Sequence, residues 1–295
     1  MSLLDKRVLF VTGKGGVGKT SVATAIALEA ASRGKRTLLA ETAGSDAVPR
    51  LFGKTSRGYE VQALQSKLFT MSITGDKAIE DYIVQQVKVR ALYKLVFRNR
   101  VMGPFVDAVP GLHDLTQLGK IFDLERETSF GRPVWDLIVV DAPATGHGLT
   151  LLDSPKAMMD LTVAGPFHDN AKLVHQLFVD GEKVGIVLVT LPEAMPVNET
   201  LELFERLGDY RLQVQLCVLN EVHADVLDEQ AWQAVRDHVP KGALALGERT
   251  SARHQAQNDA RERLSALPCP IKELPFVPGR ELTSDELDDL GRALL

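Results

Sequence analysis

The segment VLFVTGKGGVGKTS near the amino end constrains this chain more than any other feature. Gly13, Gly18, Lys19 and Thr20 satisfy G-x-x-x-x-G-K-[ST], directly after an apolar strand-like run and directly before the helix-like run SVATAIALEAASRG. The spacing has a physical reason. Glycines allow successive backbone N–H groups to curl around phosphate oxygens, and the helix that follows adds the partial positive charge of its N-terminus. Such a loop predicts a nucleotide cradle formed by Gly13, Lys14, Gly15, Gly16, Val17, Gly18, Lys19, Thr20 and Ser21. In it Lys19 reaches the β- and γ-phosphates of ATP, and the Thr20 hydroxyl holds Mg²⁺ directly.

The rest of the chain repeats the same strand-then-helix rhythm. Strands are expected at 7–12, 36–41, 67–72, 135–141, 185–191, 214–220 and 271–276. Several (VLFV, LIVV, IVLV) are apolar nearly throughout, as strands covered on both faces should be. This alternation predicts an α/β fold with a doubly wound, mostly parallel sheet. At 295 residues, one P-loop domain over 1–295 accounts for the chain, with helical subdomain insertions at about 75–133 and 154–180. The first insertion is too long for an ordinary crossover. Residues 248–264 (ERTSARHQAQNDARERL) predict a polar, exposed helix.

Composition excludes several alternatives. Thirty-four basic against 39 acidic side chains give a net charge of −5, which supplies no field for a polyanion and disfavours nucleic acid as a partner. No apolar run reaches the about 18 residues of a transmembrane segment, and no signal-peptide pattern opens the chain, so a cytoplasmic protein is expected. Cys217 and Cys269 stand far apart in sequence with no C-x-x-C, which supports neither a zinc site nor a cluster of thiols.

Lys14, in G-K-G-G-V-G-K-T, marks the deviant Walker A loop of a subset of P-loop proteins. Together with DAPATGHGLTLL (141–152), it makes the chain resemble the family of the arsenite-pump ATPase ArsA and the Get ATPase that targets tail-anchored membrane proteins. The resemblance implies a dimeric ATPase, a homodimer or a heterodimer with a related subunit, in which Lys14 reaches across the interface to the partner's nucleotide. Asp141 corresponds to the aspartate that holds Mg²⁺ through a water. Pro143, Thr145, Gly146 and His147 correspond to switch II. Asn220 falls where the family reads the adenine edge, Pro275, Phe276 and Val277 fall where a loop packs on the base, and 192–200 (PEAMPVNET) resembles the family's P-E…E-T segment. In switch I the family's D-P-A-H is replaced by LLAETAGSDAV, with Glu41 in the aspartate's place and Asp46 as a second carboxylate. The resemblance further implies a hydrophobic protein client, for which Leu92, Val96, Phe97, Met102, Phe105, Met158 and Met159 are candidate surface and core packing the alternative. Two cysteines fall short of the several thiolates that a soft As(III) ion needs. A positional switch of the ParA/MinD type shares the deviant lysine. The acidic carboxyl end, ELTSDELDDLGRALL, opposes attachment to anionic lipid. A weakly hydrolysing regulatory subunit is a third expectation, resting on Glu41.

Overall fold

The computed structural model describes residues 2–44, 46–87, 109, 111–224, 229–279 and 282–295. β1 (Val8–Gly13) leads into α1 (Lys19–Ser32), β2 (Thr37–Glu41) into the short α2 (Ala47–Leu51), and β3 (Gln62–Gln65) turns back to β4 (Leu68–Ser72). Next come α3 (Gly75–Val87), α4 (Leu112–Arg126) and a small hairpin, β5 (Thr128–Ser129) with β6 (Arg132–Pro133). The described elements then run β7 (Leu137–Asp141), α5 (Thr145–Leu161), α6 (Pro166–Phe178), β8 (Val184–Thr190), α7 (Ala194–Arg206) and β9 (Val214–Val222). They close with α8 (Glu229–Val235), α9 (Lys241–Leu264), β10 (Ile271–Pro275) and α10 (Ser284–Leu294).

The seven expected strands are all present, with ends displaced by no more than two residues. Together with β3, which was not expected, they form one eight-stranded sheet in the order β10-β9-β8-β1-β7-β2-β4-β3, parallel except for the edge pair β3–β4. Alternate side chains serve opposite faces. Leu9, Val11, Leu39, Val139 and Val187 pack under α1 and α10, while Val8, Phe10, Leu38, Val140 and Leu188 pack beneath α4, α5, α6 and α7. Both faces are therefore covered, the physical reason these strands read as unbroken apolar runs. β1 lies mid-sheet between β7 and β8, so its carboxyl end opens onto the crevice where doubly wound sheets bind ligands.

The carboxyl end of the chain is fixed rather than free. Thr283 caps α10 in a reciprocal box with Glu286, and Leu287, Leu290 and Leu294 are buried against α1. Gly291 sits so close to the Ala25 carbonyl that a Cβ would not fit, which brings the two helices into direct backbone contact. α9 extends over the polar helix expected at 248–264 and begins earlier.

Two differences from expectation have local causes. β3 (QALQ) buries only Leu64 along its length, so its sequence carries no apolar alternation to signal a strand. The end of the segment expected to be helical is the β5–β6 hairpin, turned by Phe130 and Gly131 at φ of 51° and 74°. Of the client-side candidates, Leu92, Val96, Phe97, Met102 and Phe105 lie outside the described residues. Met158 is buried in a small core with Ile79, Ile83, Leu112, Leu115 and Ala171, and Met159 packs at its margin.

Candidate nucleotide site

The loop between β1 and α1 is shaped by its glycines. Gly13 is covered by the Val189 carbonyl of the neighbouring strand, so even a methyl group would collide. Gly16 and Gly18 adopt φ of 83° and 87°, the left-handed region that glycine alone enters without strain. Gly18 is the N-cap of α1 and offers no side chain, so the first N–H groups of that helix are left for another acceptor. Lys19 folds back over the loop and donates from Nζ to the Lys14 carbonyl at 2.8 Å. Its half-buried ammonium has a pKa below the ordinary lysine value because burial disfavours the charge, an effect partly offset by nearby Asp141.

Asp141 ends β7 beside β1. Its Oδ2 accepts from the Thr20 hydroxyl at 2.6 Å, whereas its buried Oδ1 has no hydrogen-bond partner among the described residues. Burial raises the carboxyl pKa, opposed by the Thr20 hydrogen bond and the Lys19 charge. An orphaned carboxylate oxygen next to a loop threonine fits the water-mediated Mg²⁺ role. A hydroxyl and a carboxylate are hard oxygen donors, and a water of the metal's shell would satisfy the orphan.

The segment expected to be switch I starts where β2 and β7 part, with Glu41 paired in register to Asp141. Glu41 is only 1% exposed, and its Oε1 accepts from the Val48 N–H at 2.8 Å, at the start of α2. Burial raises its pKa, the α2 amides oppose this, and the neighbouring Asp141 charge reinforces it. Asp46 accepts from the Ser56 hydroxyl at 2.8 Å. Both candidate switch I carboxylates therefore have partners within switch I and the segment behind it. In the segment expected to be switch II, Pro143 precedes Ala144, the N-cap of α5, and Thr145, Gly146 and His147 form the first turn of that helix. A Cβ at Gly15 would stand 3.7 Å from the Ala144 methyl, so the phosphate loop and switch II are neighbours.

The base side is a cleft of about 510 Å³ whose lining includes Ser21, Arg50, Asn220, Pro275, Phe276 and Val277, large enough for a nucleoside. Asn220 is buried and donates from Nδ2 to the Val17 carbonyl at 3.0 Å, tying β9 to the phosphate loop. That bond engages one amide hydrogen of the Asn220 side chain, which carries a second N–H and an accepting Oδ1. Phe276 stacks on His223 with ring centres 4.4 Å apart, and its N–H bonds the Val222 carbonyl. Gln257 of α9 grips the His223 backbone at both N–H and C=O, which holds this end of β9 in place.

Several neighbours of the site went unread in the sequence. Lys14 Nζ lies 2.8 Å from Glu199 Oε1 and 2.8 Å from Met195 Sδ, both on α7 of its own chain. The P-E…E-T resemblance at 192–200 was the available signal for Glu199. Gln117 carried no motif. The expectation that the two cysteines are isolated is corrected. Cys217 pairs in register with Ile271, two residues beyond Cys269, and the Cys269 sulfur lies beside the Cys217 amide. Sequence distance misleads here because β9 and β10 are adjacent. Burial pushes the Cys217 thiol up to about 12, which keeps it protonated.

Comparison with known proteins agrees with this geometry. A family model described as anion-transporting ATPase (ArsA ATPase) matches residues 6–164 and 165–241. The ATPase BagA of Mycobacterium tuberculosis is 30% identical over 92% of this chain and 87% of its own length. An arsenical pump-driving ATPase of Acidiphilium multivorum is 26% identical over 97% of this chain and 54% of its own length. The ATPase GET3 of Podospora anserina is 25% identical over 75% of each chain. With its doubly wound sheet, its glycine loop and a family match over most of its length, the chain belongs to the anion-transporting (ArsA-type) ATPase family of P-loop proteins.

Proposed function

We propose that the chain is a dimeric ATPase that couples ATP-driven closure of two subunits, and their reopening on hydrolysis, to its helical layer. The observation that carries this reading is the Thr20–Asp141 contact of 2.6 Å at the sheet's carboxyl edge, beside a Lys19-capped glycine loop and the base cleft. The reaction is attack of water on the γ-phosphate of ATP, giving ADP and phosphate. The loop N–H groups from Gly15 to Thr20 and the Lys19 ammonium hold the phosphates and stabilise charge as it develops. Thr20, and Asp141 through a water, would hold Mg²⁺, which would supply further positive charge to the phosphates. Lys14 supplies a second cation in trans, and Glu41 or Asp46 orients the water once switch I has moved.

The division of labour within the chain supports one domain, a P-loop core with helical additions at about 75–133 and 154–180. A hydrophobic protein client, such as a membrane protein in transit, suits the helical layer. A metalloid cargo suits the chain poorly, because one adjacent pair of thiols, Cys217 buried and Cys269 partly exposed, offers two soft ligands where As(III) takes more. A positional switch anchored to membrane by its last helix is disfavoured, since the apolar face of α10 is already buried against α1. The reading with a specific observation in its favour is a weakly hydrolysing subunit of a heterodimer, because the Glu41 carboxylate is engaged by α2.

Lys14→Ala tests the leading reading. The variant is expected to bind nucleotide as a single subunit but to lose ATP-driven dimerisation, measured by sedimentation, and with it the phosphate release of the parent. Unchanged dimerisation together with unchanged turnover would refute it.

A further inference from the structure

Just past the ends of β2 and β4, the carbonyls of Thr42 and Ile73 have no neighbouring strand to bond. The Ile73 N–H still donates to the Glu41 carbonyl at 2.8 Å, and one step further the chains diverge, Thr42 into switch I and Ile73 toward α3. Carbonyls buried at such a fork must find a donor elsewhere. Gln117 of α4 provides it. Its buried Nε2 donates to the Thr42 carbonyl at 3.1 Å and to the Ile73 carbonyl at 2.6 Å. Thr42 is held from its other side by Asp141, whose carbonyl accepts both the Thr42 N–H at 3.1 Å and the Thr42 hydroxyl at 2.9 Å. A continuous chain of contacts, buried from Asp141 onward, thus runs from the part-buried Thr20–Asp141 pair through Thr42 to α4. The same joint is tight one turn earlier, where His113 of α4 covers Gly75 so closely that a Cβ would lie 2.7 Å from its ring.

We propose that Gln117 is a positioning residue that couples switch I to the helical layer, so that movement at Thr42 on nucleotide binding is carried to α4. This rests on the nucleotide reading above. Thr42 is gripped on both sides, so switch I either takes α4 with it or breaks the Gln117 bonds. Packing alone would not discriminate between nucleotide states, whereas a side-chain amide bonded to the moving carbonyl does.

The test is backbone hydrogen exchange of 13–20 and 112–126, with and without Mg²⁺ and a non-hydrolysable ATP analogue, in the parent and in Gln117→Met. Methionine keeps length and volume and removes both donors. In the parent, nucleotide is expected to change exchange in both segments. In Gln117→Met the response at 13–20 remains and that at 112–126 is lost. The KM for ATP stays near the parental value while kcat falls about tenfold, the size expected when a positioning hydrogen bond is removed. If Gln117→Met does not fold, Gln117→Glu carries the test. Its side chain can donate only when protonated, so its turnover relative to the parent rises as pH is lowered from about 8 to about 6. A full response at 112–126 in the folded Met variant, or a flat relative pH profile in the Glu variant, overturns the coupling. Absence of any nucleotide response at 13–20 in the parent overturns the functional reading itself, a distinguishable failure.

Discussion

If Lys14 acts in trans, its contact with Glu199 competes with dimerisation, and the cost of that competition can be estimated. The pair is 2.8 Å apart, with side chains 28% and 34% exposed, so solvent screens it heavily. Partly exposed pairs contribute about 0.2–1 kcal/mol. Both protomers must release the lysine, so closure carries about 0.4–2 kcal/mol, equivalent to a factor of roughly 2 to 30 in the dimer dissociation constant. Glu199→Gln removes the ion pair, keeps the shape of the side chain and should tighten the ATP-dependent dimer by that factor. The assay is sedimentation equilibrium with a non-hydrolysable ATP analogue. Charge must be controlled, because the substitution shifts each protomer from −5 to −4 and lowers general repulsion. Glu202→Gln, at an exposed position of the same helix, makes the same change without touching Lys14. The difference between the two variants should shrink at about 1 M salt, where the screening length is near 3 Å. Equal or weaker dimerisation in Glu199→Gln than in Glu202→Gln would refute the competition.

Other substitutions probe the remaining parts. Burial raises the Asp141 pKa, so the folded chain holds that proton more tightly than the unfolded chain does. Stability should therefore fall as pH rises from the ordinary carboxylate value of 3.8 through the raised one. Asp141→Asn should flatten that fall and raise the thermal midpoint in the absence of nucleotide by a few degrees, in line with the about 0.5–2 kcal/mol typical of stabilising changes, while abolishing Mg²⁺-dependent phosphate release. A midpoint that drops would contradict the buried-charge argument. Glu41→Gln retains an oxygen for the α2 cap and should fold normally, bind ATP with parental affinity and lose about tenfold or more in turnover. Near-parental turnover would remove Glu41 from the chemistry. Asn220→Ala cuts the tie to Val17 and the base contact together, and calorimetry should find ATP bound about tenfold or more weakly, with little change in affinity for inorganic triphosphate. Equal losses for both ligands would place the effect in the phosphate loop alone.

The sheet was legible because its strands are covered on both faces and therefore appear as unbroken apolar runs. The phosphate loop was legible because glycine spacing and left-handed backbone leave a direct mark on sequence. β3 left no such mark, since an edge strand with one buried residue needs no pattern. The partners of the switch residues were unreadable for a different reason. Gln117 meets Thr42 across 75 residues, and Lys14 meets Glu199 across a far longer gap in sequence, through ordinary polar side chains that have no distinctive spacing. The two cysteines show the same limit, because the helices inserted between β9 and β10 lengthen the chain between positions that the sheet brings side by side.

The internal partners of the switch residues also set an order of events. Lys14 is held by a screened ion pair of at most about 1 kcal/mol, so a modest gain on nucleotide binding releases it. Glu41 is held by an N–H bond to a buried carboxylate, a charge-assisted contact worth about 1.5–3 kcal/mol, and freeing it also moves the first turn of α2. ATP at about one hundred times its dissociation constant supplies about 2.7 kcal/mol, enough for the first step and marginal for the second within one subunit. Closure should therefore precede competence for hydrolysis, with the new interface supplying what switch I still needs. Rapid mixing of protein and ATP, followed by light scattering for dimers and by a phosphate sensor, should show a lag in phosphate that shortens with protein concentration. A phosphate trace that starts without lag and ignores protein concentration would mean that switch I reaches its working position inside a single subunit.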